Sequence, residues 1–126
     1  MKNPILGIIG GGQLGSMLSD AAKKINIKTV VYSDVEDSPA QNFCDEFILG
    51  KYDDEKKIEE FKIKTDVITY EFENIPFETL KKIESSKKVY PKPEINKIVQ
   101  NRLLEKNFLK DNNILTTDYI HIKSKD

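Results

Sequence analysis

Gly10-Gly11-Gly12-Gln13-Leu14-Gly15 fits the pattern G-x-G-x-x-G and directly follows the apolar run Ile5-Leu6-Gly7-Ile8-Ile9. Glycines at such a turn let the backbone bend sharply and approach a ligand closely. The helix that follows offers unpaired N–H groups and the positive end of its dipole to an anion. The plainer reading is that these glycines only let strand and helix pack tightly. Asp34 stands about 20 residues beyond the motif, after a second strand, where a ribose-binding acid sits in dinucleotide-binding domains. Gln13 adds a polar side chain to the loop, and Ser38-Pro39-Ala40 opens a helix soon after Asp34. On these residues alone an NAD-binding domain of an oxidoreductase stays open, as does a Rossmann-like interaction domain with no catalytic role.

A second group of chemically capable residues lies further on. In Thr69-Tyr70-Glu71-Phe72-Glu73-Asn74, two acids flank one aromatic at the end of the apolar run Val67–Tyr70. Strand alternation puts Glu71 and Glu73 on the same side. Ligands of open α/β sheets bind beyond the carboxyl ends of the strands, so acids there can accept hydrogen bonds from an amine or a sugar hydroxyl. The competing reading is a surface or capping acid, and Asn74 suits a cap for the next helix. Arg102 stands four residues after Ile98, at the edge of a buried helical face. A guanidinium can hold a phosphate in a fork or stack on an adenine; by composition alone it is an ordinary surface arginine. Lys106, one turn on, reads as solvated. Cys44 is the single cysteine, which excludes an internal disulfide and a cysteine-based metal cluster, and it reads as a small core residue. His121 is the single histidine and has no partner cluster in the sequence, so no metal site is expected.

These residues need a scaffold that presents strand ends. Short apolar runs alternate with helical periodicity, which predicts α/β architecture: a Rossmann-like, mainly parallel sheet with helices on both faces. Strands are expected at Ile5–Ile9, Thr29–Tyr32, Glu46–Leu49, Val67–Tyr70 and Val89-Tyr90. Leu14, Leu18, Ala21 and Ile25 share one helical face, expected to be the buried one, with Asn26 a left-handed residue at its end. Ser38, Pro39 and Gln41 fit a capping box opening a further helix. Asp53 is expected to cap a helix through Ile58 and Phe61, and Phe77, Leu80 and Ile83 mark another. One longer helix is expected from Glu94 to about Lys110, with Ile95, Ile98, Val99 and Leu103 on its buried side and Asn112-Asn113 ending it. Leu115–Asp126 reads as extended. The expected division is a Rossmann-like domain over residues 1–93, then a linker helix and the start of a further module over 94–126.

The chain has 126 residues and a formal net charge of −1, enough for one core and without a field that would attract nucleic acid or an anionic membrane. Met1–Pro4 and the short run after it do not make a secretion signal, and no stretch approaches the roughly 20 apolar residues of a membrane span. A cytoplasmic domain is expected.

The four segments Gly10–Gly15, Asp37-Ser38-Pro39-Ala40, Thr69–Asn74 and Gln100-Asn101-Arg102-Leu103-Leu104-Glu105-Lys106 occur in an order and spacing that resembles the N-terminal part of N5-carboxyaminoimidazole ribonucleotide synthetases, which are ATP-grasp enzymes. The resemblance covers essentially the whole chain, and Tyr70-Glu71-Phe72-Glu73-Asn74 is its most specific string. It departs from the pattern at Ser16, where family members usually carry arginine. The resemblance implies a ligase of purine biosynthesis that uses ATP and bicarbonate to carboxylate 5-aminoimidazole ribonucleotide. In that chemistry ATP activates bicarbonate as carboxyphosphate, and Mg²⁺ bridges the nucleotide phosphates. NAD has no part in it, and the complete enzymes are typically homodimers. It further implies substrate contacts from Gly12, Gln13, Leu14 and Glu71, with Glu73, Asp34 and Ser38 as weaker candidates, and an ATP contact from Arg102. The acids that bind Mg²⁺ in the grasp module and its second phosphate loop have no counterpart here. No catalytic residue is therefore assigned, and the chain alone is expected to be inactive.

Overall fold

The computed structural model describes residues 3–124. Met1 and Lys2 of the expected first domain, and Lys125 and Asp126 of the expected extended tail, lie outside the described residues.

Five strands form one parallel sheet: β1 Leu6–Ile9, β2 Thr29–Ser33, β3 Glu46–Leu49, β4 Val67–Tyr70 and β5 Lys88–Tyr90, in the order β3-β2-β1-β4-β5. Leu6 aligns with Thr29 on one side and Val67 on the other, so β1 is central. Its buried run Gly7-Ile8-Ile9 suits a strand covered on both faces. The chain first builds outward from β1 through β2 to β3, then returns to the other side of β1 for β4 and β5. This reversal opens a crevice beyond the carboxyl ends of β1 and β4, the place where such sheets take ligands.

The two faces are covered unequally. One carries a large cluster that includes Ile9, Tyr32, Ile58, Phe61, Ile68, Leu80 and Val89, under the helices α2 Glu55–Lys64 and α3 Phe77–Glu84. The other has Ile8, Val31 and Ala40, beneath the helix α1 Gln13–Lys24 and a short 3-10 turn at Pro39–Asn42.

Several local expectations are corrected. In α1 the buried residues are Gly15, Ser16, Ser19 and Ala22, whereas Leu14 (55% exposed), Met17 (59%), Leu18 and Ile25 (66%) face outward. The periodicity was real but the stripe faces the other way. A Cβ on Gly15 would lie 2.3 Å from the Gly10 carbonyl oxygen, so the helix presses on the turn too closely for large side chains beneath it. Ser19 is buried there because its hydroxyl donates to the Gly15 carbonyl at 2.8 Å. Asn26 is left-handed, with φ of +59°. The cap of α2 is Asp54, not Asp53: its carboxylate accepts from the Lys57 N–H at 3.0 Å. Ser38 does not cap the 3-10 turn through its side chain, and Gln41 donates to the Glu36 carbonyl instead of closing a box. Asn74 does not cap α3, whose first flanking residue is Pro76.

The expected long helix is two helices, α4 Pro93–Val99 and α5 Arg102–Asp111. Asn101 separates them. Its side-chain oxygen accepts from the N–H groups of Leu103 and Leu104 at 3.0 and 3.1 Å and starts α5 afresh. The side of α4 that is buried holds Pro93 and Asn96 rather than Ile95 and Val99. Residues 114–124 form no helix or strand, in keeping with an extended tail.

Candidate functional site: an acidic crevice at the reversal of the sheet

The glycine turn is held by its backbone. The Gly10 N–H donates to Tyr32, and the Gly11 carbonyl accepts from Ala40 at 3.0 Å. Gly10 takes φ of +119°, which glycine adopts at little cost. Space also requires glycine here. A Cβ at Gly10 would lie 2.5 Å from Glu71 Oε1, and one at Gly11 would lie 2.4 Å from Ser38 Oγ.

The turn and its neighbours enclose a cavity of about 210 Å³ walled by Gly10–Gly12, Ser33, Asp34, Val35, Ser38, Pro39, Tyr52, Glu71 and Phe72. Of the residues named from the sequence, Gly12, Asp34, Ser38 and Glu71 therefore share one crevice. Gln13 follows Gly12 as the first residue of α1 and is exposed; Leu14 is exposed on the outer stripe. Glu73 is exposed and outside the wall, yet close enough for its charge to act on Glu71.

Glu71 leaves β4 with its N–H donating to Ile9 at 3.2 Å, which swings its carboxyl over the turn. Burial raises its pKa above the ordinary carboxylate value. The Gly12 N–H nearby pulls the other way, and the nearby Glu73 charge raises it again. A side-chain carboxylate thus already lies over the glycine turn at the start of α1, the position a phosphate would claim. No wall residue is cationic. With Asp34 in the same wall, the crevice repels an anion and suits donors such as sugar hydroxyls or an amine. The Ser38 hydroxyl proton is committed to the Val35 carbonyl at 2.6 Å, which fixes the loop that carries Asp34.

Tyr52 is the wall residue that sequence reasoning missed. Its pKa is raised by burial, then by the nearby Asp34 carboxylate, then by Glu71 and Tyr32. Its ring lies 6.2 Å from that of Tyr32, whose hydroxyl donates to the Lys51 carbonyl at 2.7 Å. Thr79 Oγ1 donates to the Tyr52 carbonyl at 2.7 Å. The only sequence signal for Tyr52 is an aromatic just after a predicted strand.

Arg102 is not in this crevice. Its guanidinium pairs with Glu105 and its side chain is 78% exposed. It lines a separate 390 Å³ cleft with Leu103, Lys106, Tyr119, Ile120, His121 and Ile122. Lys106 reaches Thr116 and Thr117, so it is less solvated than expected. Among the described residues no group of three or more His, Cys, Asp or Glu side chains is placed to hold a metal ion. Among the described residues no helix is long and apolar enough to cross a membrane.

Residues 1–100 match a family model described as the ribonucleotide synthetase preATP-grasp domain. The chain belongs to that family. Among its relatives, the N5-carboxyaminoimidazole ribonucleotide synthase of Staphylococcus aureus (strain COL) is 42% identical over 118 residues, which are 94% of this chain and 32% of the relative. This pre-ATP-grasp domain therefore spans about a third of the length of the curated relatives it matches. A crystal structure of the Staphylococcus aureus synthetase complexed with ADP superposes with a TM-score of 0.83 at 42% identity, covering 90% of this chain and 31% of that one. The Aspergillus clavatus synthase, solved with ADP and 5-aminoimidazole ribonucleotide, gives 0.78 at 28% identity, covering 89% and 30%. The five-stranded parallel α/β fold is that of the amino-terminal domain of these enzymes.

Proposed function

We propose that this pre-ATP-grasp domain is the amino-terminal part of an ATP-dependent ligase that carboxylates 5-aminoimidazole ribonucleotide with bicarbonate in purine biosynthesis, and that its crevice receives the sugar and amine end of that substrate. The observation that carries the reading is Glu71 lying over the glycine turn in one cavity with Asp34, with no cation in the wall. Hydroxyls and amines donate to such carboxylates. A phosphate would displace Glu71 and meet two like charges, so it points away from this pocket. The same argument disfavours an NAD pyrophosphate on this turn. A 210 Å³ cavity holds one end of a ligand, being smaller than the 300–1,000 Å³ usual for a whole small molecule.

In this reading Gly12, Gln13, Leu14 and Glu71 form the near side of the substrate site, with Asp34, Ser38 and Glu73 around it. Arg102 contacts ATP. Its cleft has cationic, aromatic and apolar walls, which suit a nucleotide. The described residues do not supply a donor set for Mg²⁺, so the ion would be held by another module of the enzyme. Residues 94–126 lead toward that module. The complete enzyme is read as a cytoplasmic homodimer.

Calorimetry with 5-aminoimidazole ribonucleotide tests the site. Glu71→Ala and Gln13→Ala are each expected to weaken binding by about 1–3 kcal/mol, the scale of a lost charged hydrogen bond. Unchanged affinity in both removes them from the site. A coupled ADP-release assay with ribonucleotide and bicarbonate is expected to show no turnover by the chain alone. Turnover at an ordinary enzyme rate, a few per second or more, would overturn the assignment of catalysis to another module.

A further inference from the structure

We propose that Asn96 on α4 and Gln100 at its C-terminal cap are positioning residues that clamp the acid-bearing loop after β4 and so hold Glu71 in the crevice. The proposal rests on the reading of Glu71 as a ligand-contacting acid.

The stretch from Glu71 to Pro76 belongs to no strand or helix, so its carbonyls have no ladder to join. Two side-chain amides take them up. Asn96 Nδ2 donates to the Ile75 carbonyl at 3.1 Å, and Gln100 Nε2 donates to the carbonyls of Glu73 and Ile75 at 2.6 and 2.7 Å. The two amides are four residues apart, one above the other on the helix. At the other end of the loop the Glu71 N–H is pinned to Ile9. Ile75 itself is wholly buried in the large core cluster. The loop is therefore held at both ends and at the carbonyl of Glu73 between them.

The identity of Asn96 supports a reason beyond packing. It is wholly buried, and its Oδ1 has no partner. An apolar residue would fill the space without leaving a buried acceptor unsatisfied, but it would have no N–H to give the loop. Gln100 needs no burial to act, and it sits two residues before Arg102. The turn of backbone that grips the acid loop thus also begins the helix carrying the guanidinium, so the two halves of the proposed active centre are registered against each other by one short segment.

The test uses the full chain and two variants at the exposed position, Gln100→Ala and Gln100→Glu. The second keeps the shape but has no N–H to donate. Amide hydrogen exchange and a carbon NMR titration of the Glu71 carboxyl are read together. Glu71 faces the Gly12 N–H and the charge of Glu73, and shares the cavity wall with the Asp34 carboxylate and the neutral Tyr52 phenol. Both variants are expected to speed exchange over residues 73–77 by about tenfold while α1 stays as protected as in the parent. Both should also lower the Glu71 midpoint toward an ordinary carboxylate as the group leaves the crevice. Parent-like exchange and midpoint would overturn the clamp, as would a parallel loss of protection everywhere, which marks a merely structural role. Ribonucleotide titration of the same samples separates the two readings. Equal affinity in parent and variants despite a loosened loop overturns Glu71 as a ligand contact and leaves the clamp standing.

Discussion

Glu71 spends free energy in the folded state, and the sign of that cost can be measured. Its pKa is raised on folding, chiefly by burial, so the fold favours the protonated form. The contribution to stability is fully present below the ordinary value of 4.5 and is lost as pH rises through the higher folded pKa. Glu71→Gln is therefore expected to make the domain more stable than the parent at pH 7. The difference should disappear on acidification to about pH 4. Urea denaturation at the two pH values checks it, and a variant less stable at pH 7 would show that the pull of the Gly12 N–H outweighs burial. The acid and the glycines were legible because residue type and strand-end position say what they can do. Tyr52 was not, since a loop aromatic carries no pattern until Tyr32 and Thr79 hold it against the crevice. Nor could the string of residues show that Glu71 would occupy the anion position itself, which took its carboxyl orientation.

At the scale of elements, α1 is the instructive case. Periodicity identified a helix and an apolar stripe, but assumed that the larger side chains face the sheet. Contact with the glycine turn reverses this, because the face carrying Gly15, Ser16, Ser19 and Ala22 is made of residues small enough for that approach. Ser19→Leu is expected to destabilise the domain by about 1–3 kcal/mol through overpacking. Met17→Gln, on the exposed stripe, should change stability by no more than about 0.5 kcal/mol. Chemical denaturation of both separates the two orientations, and the opposite ranking would restore the stripe to the core. The division of the expected long helix was hidden for a similar reason. Asn101 lies in an unbroken helical pattern; its side chain suits a cap, but the break in backbone geometry that lets it act as one is not visible in that pattern.

For the molecule as a whole, alternating apolar runs and helices were enough to give five parallel strands and their helical cover. They did not give the imbalance between faces, with Phe61, Ile58, Leu80 and Ile83 on one side and little beyond Ile8, Val31 and Ala40 on the other. Nor did they show that α5 would contain no buried residue and pack on α4 rather than on the sheet. That last arrangement has a practical consequence. A helix without a buried side can open without disturbing the core, so its peptide bonds become reachable to an enzyme that cuts after basic residues. Brief trypsin treatment of the native chain should cut the exposed tail and α5, after Lys123, Lys110, Lys106 and Arg102, before any site in the sheet, and leave a resistant body ending at Arg102 or Lys106, detectable by intact-mass spectrometry.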